Sequence, residues 1–245
     1  MDGIIVLNKP VGLTSARALD RVRRLTGIRK SGHAGTLDPL ADGVLLICQG
    51  RATKLVEALM DLPKTYRARG RLDVTSDSLD SETELRPVPV DRVPTREELD
   101  AVVSGFSGEI QQIPPAISAI KIGGQPAYKR ARRGERVDLP PRPVRVYEIG
   151  ISRYEWPELD FEVQCGRGTY VRALIRDIGA GLGVGGTLTA LTRTAVGPFC
   201  LEDALGFDEL AARPDASEFV IPIDTARELA KEKPTRTPPG SSAEV

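Results

Sequence analysis

The order of strand-like and helix-like runs constrains the fold of this chain more than any other feature of its 245 residues. Residues 3–7, 44–48, 65–72, 144–154, 159–165 and 188–196 form short apolar or alternating runs, as strands do. Helical spacing of apolar residues marks a segment opening at Ser15, then 52–62, 95–105 and 170–182. The runs 144–154 and 159–165 neighbour one another, and the helices elsewhere differ in length. A simple strand–helix alternation does not describe this order. It predicts an α+β fold, a mixed and largely antiparallel sheet flanked by helices. With 40% apolar residues a substantial core is available. One domain is expected over 1–224, with 225–245 a polar, proline-rich tail without stable structure.

Local signals sharpen several elements. Ser15 is the expected N-cap of the first helix, with Leu19, Val22 and Leu25 on one face, Arg17, Arg21 and Arg24 on another, and Gly27 as the stop. Thr95-Arg96-Glu97-Glu98 is a capping box ahead of Leu99, Val102 and Val103. Residues 73–94 read as an acidic surface excursion.

The charges balance, 34 basic against 34 acidic, so net charge names no partner. Their distribution is more informative. Residues 17–30 and 121–145 are rich in arginine and lysine, while acids gather in 73–100 and after Glu202. Such segregation suits a phosphate backbone on one face, although a solvated helix face gives the same pattern. Cys48, Cys165 and Cys200 are odd in number and far apart, and one histidine cannot complete a zinc site with them. No metal is expected. The amino terminus lacks a basic lead and a cleavage site, and no apolar run approaches membrane length, so a cytoplasmic protein is expected.

Gly181-Leu182-Gly183-Val184-Gly185-Gly186 matches a dinucleotide-binding pattern, but it follows an amphipathic helix. Phosphate binding needs those glycines between a strand end and a helix start, so a helix C-terminus and link explains them better. Ser31, His33 and Asp38 lie too close in sequence for a nucleophile relay, and no nucleophile elbow is present. Taken alone, an Asp-Pro pair is an ordinary turn.

The longer segment Gly32-His33-Ala34-Gly35-Thr36-Leu37-Asp38-Pro39-Leu40-Ala41-Asp42-Gly43 is more specific. It resembles the catalytic motif of the TruB-type pseudouridine synthases. The likeness extends to Leu7-Asn8-Lys9-Pro10 with Gly12, Thr14 and Ser15, to Lys64-Thr65-Tyr66-Arg67, and to Gln112-Ile113-Pro114-Pro115 with Ser118-Ala119-Ile120-Lys121. It continues through Cys165-Gly166-Arg167-Gly168-Thr169-Tyr170-Val171-Arg172 and Leu191-Thr192-Arg193-Thr194, so that it spans about residues 3–224 in the family's order.

The resemblance implies an isomerase that converts uridine 55 in the T-loop of tRNA to pseudouridine. That chemistry needs a nucleophile or base and a pocket for the detached uracil, and it needs no cofactor. Asp38 is implied as the catalytic carboxylate, Arg172 as the cation that keeps it ionised, and Tyr66 as the ring stacked on the flipped base. His33 is implied to hold the RNA loop open, and Tyr170 and Leu191 to line the uracil pocket. Lys9 and Arg193 match basic positions near the site. A thumb-like insertion at about 121–145, with Lys121, Arg132 and Arg133, is implied to close on the tRNA stem-loop. No functional residue is carried over from 74–84, where Leu79 interrupts the family pattern.

The expected partner is the tRNA T-stem-loop, acted on by a monomer with no obligate protein partner and no membrane. No full carboxy-terminal PUA module is expected. The rival readings are a guide-RNA-dependent relative and a non-catalytic RNA-binding module.

Overall fold

The computed structural model describes residues 2–231 apart from 119, 132 and 214; the side chains of 121, 122, 126, 131 and 216 are also outside the description. The elements follow the predicted order. Strand β1 (Gly3–Lys9) leads into α1 (Ser15–Thr26), β2 (Ser31–Ala34) and β3 (Ala41–Gln49). The helix expected over 52–62 is split into a 3₁₀ turn, Gly50–Leu55, and α2 (Val56–Asp61). Then come β4 (Lys64–Arg71), the short pair β5 (Val74–Thr75) and β6 (Arg86–Pro87), α3 (Arg96–Ser104) and β7 (Gly108–Gln112). The small hairpin β8 (Lys121–Ile122) and β9 (Gln125–Pro126) precedes α4 (Ala127–Ala131). Long strands β10 (Arg142–Glu155) and β11 (Glu158–Cys165) form a hairpin, followed by α5 (Val171–Leu182) and β12 (Thr187–Val196). The chain closes with β13 (Phe199–Cys200), α6 (Phe207–Ala212), β14 (Ile221–Pro222) and α7 (Ile223–Leu229).

Where the sequence pattern predicts one domain, the chain divides into two compact units, residues 1–67 with 191–245 and residues 68–190. In the first unit the sheet order is β14-β1-β3-β12-β4, with β2 and β13 attached to β3 and β12. In the second it is β12-β4-β11-β10-β7. Strands β4 and β12 each run from one unit into the other. Most ladders are antiparallel, and β3 with β12 is parallel, which is the mixed sheet expected.

The first unit's core joins Ile4, Val6, Val44, Leu46, Cys48, Leu59 and Phe199. Burial pushes the Cys48 thiol up to about 12, which makes it an inert packing residue.

Three expectations need correction. Thr14, not Ser15, caps α1, its hydroxyl accepting the Arg17 N–H at 3.2 Å. The excursion at 73–94 is not all surface: Ser76, Ser78 and Asp80 are buried. The tail expected from residue 225 is helical as far as Leu229, because Ala226 packs into the core; residues 232–245 lie outside the described residues. Thr95 forms the predicted capping box with Glu98, and α5 ends at Gly183 in the left-handed conformation, as the glycine run suggests.

Candidate active site

In the first unit, Asp38 sits in the connection between β2 and β3, which pair antiparallel from Ser31↔Gln49 to Ala34↔Leu46. The connection ends in a tight turn, in which the Ala41 N–H donates to the Asp38 carbonyl at 3.1 Å and Pro39 follows Asp38. Leu37 is buried while Asp38 is half-buried, so the apolar neighbour anchors the loop.

The strands beside the loop bring further expected residues to it. Leu191 on β12 pairs with Ala41, three residues past Asp38. Lys9, Gly43 and Arg193 form one row across β1, β3 and β12. Gly43 leaves no room for a side chain there, since an added Cβ would stand 2.3 Å from the Arg193 carbonyl oxygen. Tyr66, buried, is on β4, which neighbours β12 through a bond from the Thr194 hydroxyl to the Thr65 carbonyl.

Lys9 and Arg193 are placed differently from basic residues that receive RNA. Lys9 is 0% exposed, and its ammonium donates to the carbonyls of Pro10 (2.9 Å) and Leu13 (2.7 Å). Arg193 is 1% exposed; Nε donates to the Val44 carbonyl at 2.7 Å and Nη2 to the Gly35 carbonyl at 3.0 Å. Its guanidinium thereby joins both ends of the Asp38 connection. These are structural bonds to backbone carbonyls, that of Val44 in the buried strand β3 among them.

His33 is half-buried on β2. Burial, then the charges of Arg193 and Arg23, hold its imidazole below the ordinary value of 6.5. The ring is therefore neutral at pH 7, and among the described residues its buried Nδ1 has no hydrogen-bond partner.

In the second unit, α5 presents Arg172, 4% exposed. Its Nη1 donates to the Ser78 carbonyl at 2.7 Å and lies 3.5 Å from a carboxylate oxygen of Asp80, while Nη2 donates to the Ile117 carbonyl at 3.1 Å. Asp80 is 1% exposed. Serines 76 and 78 both donate to the Asp80 carbonyl, at 2.6 and 3.1 Å, and Leu79, between Ser78 and Asp80, takes a left-handed φ of 62°. Sequence reasoning left Asp80 aside with the rest of that loop. The signal that could have found it is the small polar set Ser76, Ser78 and Asp80, whose side chains and backbone close a tight turn on one another.

Tyr170, the N-cap of α5, has its backbone held by the buried Gln112 amide, which accepts from the Tyr170 N–H at 2.8 Å and donates to its carbonyl at 3.2 Å. The Arg142 guanidinium lies 5.1 Å from the Tyr170 ring centre. In the segment expected to act as a thumb, Arg133 is exposed and pairs with Glu135 at 2.7 Å; Arg130 and Arg136 pair with Glu135 and Asp138. Arg142 and Arg145 are part of strand β10, not of that segment. Arg132 lies outside the described residues, as does the side chain of Lys121.

Comparison with known proteins decides the family. The model described as "TruB family pseudouridylate synthase (N terminal domain)" matches residues 23–171, and "tRNA pseudouridylate synthase B C-terminal domain" matches 172–226. The chain belongs to the TruB family. A tRNA pseudouridine synthase B of Mycobacterium bovis (strain BCG / Pasteur 1173P2) is 46% identical over 220 residues, covering 88% of this chain and 74% of that protein. Its counterpart from Thermobifida fusca (strain YX) is 46% identical over 244 residues, 96% of this chain and 81% of that protein. A solved structure described as a Cbf5-Nop10-Gar1 complex superposes with a TM-score of 0.72 at 30% identity, covering 93% of this chain and 62% of that one, so the chain spans about three-fifths of that structure's length. For a TruB-family chain, the boundary between the two matched models is informative: it falls at the first turn of α5, directly before Arg172.

Proposed function

We propose that this chain isomerises uridine 55 in the T-loop of tRNA to pseudouridine, with Asp38 as the carboxylate that acts on the flipped nucleotide. The observation that carries the reading is Asp38 itself. It stands half-buried in a backbone turn tied to its surroundings on both sides, within a chain 46% identical to curated tRNA pseudouridine synthases.

The reaction breaks the C1′–N1 bond, rotates the uracil and forms C1′–C5; C5 loses a proton and N1 gains one. Oxidation state is conserved, so no redox cofactor is required. An ionised carboxylate can act by attack at C1′, by addition at C6 or through a glycal, and the residues present serve each route. Arg172 would be the cation that the family resemblance implies for Asp38, and Asp80, 3.5 Å from it, the buried acid that orients the Arg172 guanidinium. Tyr66 would stack on the extruded base, a contact worth about 1–3 kcal/mol per base. Tyr170 and Leu191 would line the uracil pocket. His33, neutral, would occupy the space the base leaves in the RNA loop without bringing a charge into the stack.

Lys121, Arg132 and Arg133 would hold phosphates of the T-stem, while the extruded base specifies the site. The identity to curated synthase B proteins supports tRNA as the substrate, and we read the chain as acting on it alone, as a cytoplasmic monomer. Among the described residues no helix is long and apolar enough to cross a membrane.

The test is tritium release from tRNA labelled at uracil C5. The purified protein alone should release tritium, and Asp38→Asn should lower the rate by on the order of 10⁴-fold or more. No release by the unaltered protein would end the enzymatic reading, and release by the variant at the original rate would remove Asp38 from it.

A further inference from the structure

We infer that Ser15 is a positioning residue for Asp38, an inference that rests on Asp38 being the group that acts on the substrate. Because Thr14 caps α1, the Ser15 hydroxyl is free for another task. Ser15 is 2% exposed, and its Oγ accepts the Leu37 N–H at 2.8 Å and donates to the Leu37 carbonyl at 3.0 Å. One hydroxyl thus satisfies both backbone polar groups of the residue before Asp38, 22 positions away in sequence.

The Leu37 carbonyl belongs to the peptide plane that also contains the Asp38 nitrogen and Cα. Fixing that carbonyl fixes where the Asp38 side chain starts. On the far side, the Gly12 N–H donates to the Pro39 carbonyl at 2.7 Å, and the Asp38 carbonyl accepts from Ala41. The planes flanking Asp38 are therefore pinned at the Leu37 and Asp38 carbonyls and the next plane at the Pro39 carbonyl, the first and last of these by Ser15 and Gly12 from the β1–α1 connection and its helix start. Lys9 braces that connection through the Pro10 and Leu13 carbonyls. What remains to the catalytic residue is rotation of its own side chain.

Positioning of this kind affects the rate of the chemical step more than substrate affinity, because a displaced group still leaves the tRNA contacts intact. Ser15→Ala removes both bonds to Leu37. Ser15→Thr keeps the hydroxyl. Thr26→Val is the stability control: Thr26 is on the last turn of the same helix, its hydroxyl donating to Val22 and accepting from Gln49.

The experiment measures the single-turnover rate at saturating tRNA, the Kd for tRNA, and Tm for each variant beside Asp38→Asn. Ser15→Ala should lose ~10- to 100-fold in rate with Kd changed by less than about twofold. Ser15→Thr should recover to within about threefold of the unaltered protein, and Thr26→Val should keep its rate whatever its Tm. A Ser15→Ala rate within about twofold of the original, or rate losses in Ser15→Ala and Thr26→Val that simply track Tm, overturns the inference. Should Ser15→Ala fail to fold, Ser15→Cys, which keeps the shape with a weaker donor, is read in its place against the same outcomes. Loss of activity in Asp38→Asn with full activity in Ser15→Ala defeats this inference alone; full activity in Asp38→Asn defeats the reading beneath it.

Discussion

The buried arginines and the arginines of the 121–138 segment carry the same charge, and the structure uses them in opposite ways. Arg172 and Arg193 are 4% and 1% exposed, and their guanidinium groups donate to backbone carbonyls of distant segments, Ser78 and Ile117 for one, Gly35 and Val44 for the other. Arg130, Arg133 and Arg136 pair with Glu135 and Asp138, acids only a few residues away, at the surface. Each of the first pair ties distant segments together within its own unit. In the second group each ion pair is weak in water and can exchange its carboxylate for a phosphate. A basic residue near a site in sequence is therefore an RNA ligand only if its head group can reach solvent.

The most severe break in that comparison is Arg193→Ala. It removes the donor to the buried Val44 carbonyl and to the half-buried Gly35 carbonyl and opens a cavity between β3 and the Asp38 connection. A loss of about 3 kcal/mol or more in unfolding free energy is expected, measured by urea denaturation. A loss below about 1 kcal/mol would return Arg193 to the class of ligands.

Asp80→Asn is expected to spare most of the stability, because the amide oxygen can still face Arg172, while lowering the single-turnover rate by about 10-fold or more. Tritium release at saturating tRNA, compared with Arg172→Lys, checks it. An unaltered rate in both variants would make this buried pair purely structural.

Arg133→Ala should weaken tRNA binding several-fold and reduce the dependence of log Kd on log salt by about one unit. Glu135→Gln should do the reverse at low salt, since it frees Arg130 and Arg133 from their shared carboxylate. Identical binding curves for all three proteins would show that this segment does not touch the RNA.

The smallest effect concerns His33. Its folded value is held below 6.5 by burial and by Arg193 and Arg23. Its contribution to stability is complete above the unfolded value and is lost as pH falls, because the unfolded chain then takes up a proton the folded one resists. Between about pH 7.5 and pH 5.5 the protein should lose stability, and His33→Asn should lose measurably less. Equal slopes for the two proteins would show that the imidazole is not held neutral.

Much of the fold was legible because it depends on local pattern. Alternating and helical periodicities located the main strands and helices, Thr95 with Glu98 marked a cap, and Gly183 a stop. Asp38, Tyr66 and Arg172 stood out as candidates through motif resemblance, without any view of their surroundings. Ser15 was misread because Thr14 and Ser15 are equally competent caps, and backbone geometry alone chooses between them. Asp80 was passed over because a carboxylate in an acidic run is ordinarily solvated, and its burial is made tolerable by the nearby Arg172 guanidinium and the Glu82 N–H, which donates to it at 3.1 Å.

The sequence by itself determined the family, the mixed sheet and the carboxylate at which chemistry is proposed, since each is written in residue type, period and ordered blocks. Only the tertiary structure decided which polar groups are tools and which are fasteners. Arg193 and Ser15 differ from exposed counterparts of the same type in one respect: a carbonyl or N–H from a distant part of the chain needs them. That need arises when strands far apart in sequence close on one another and exclude water, and no local pattern records it.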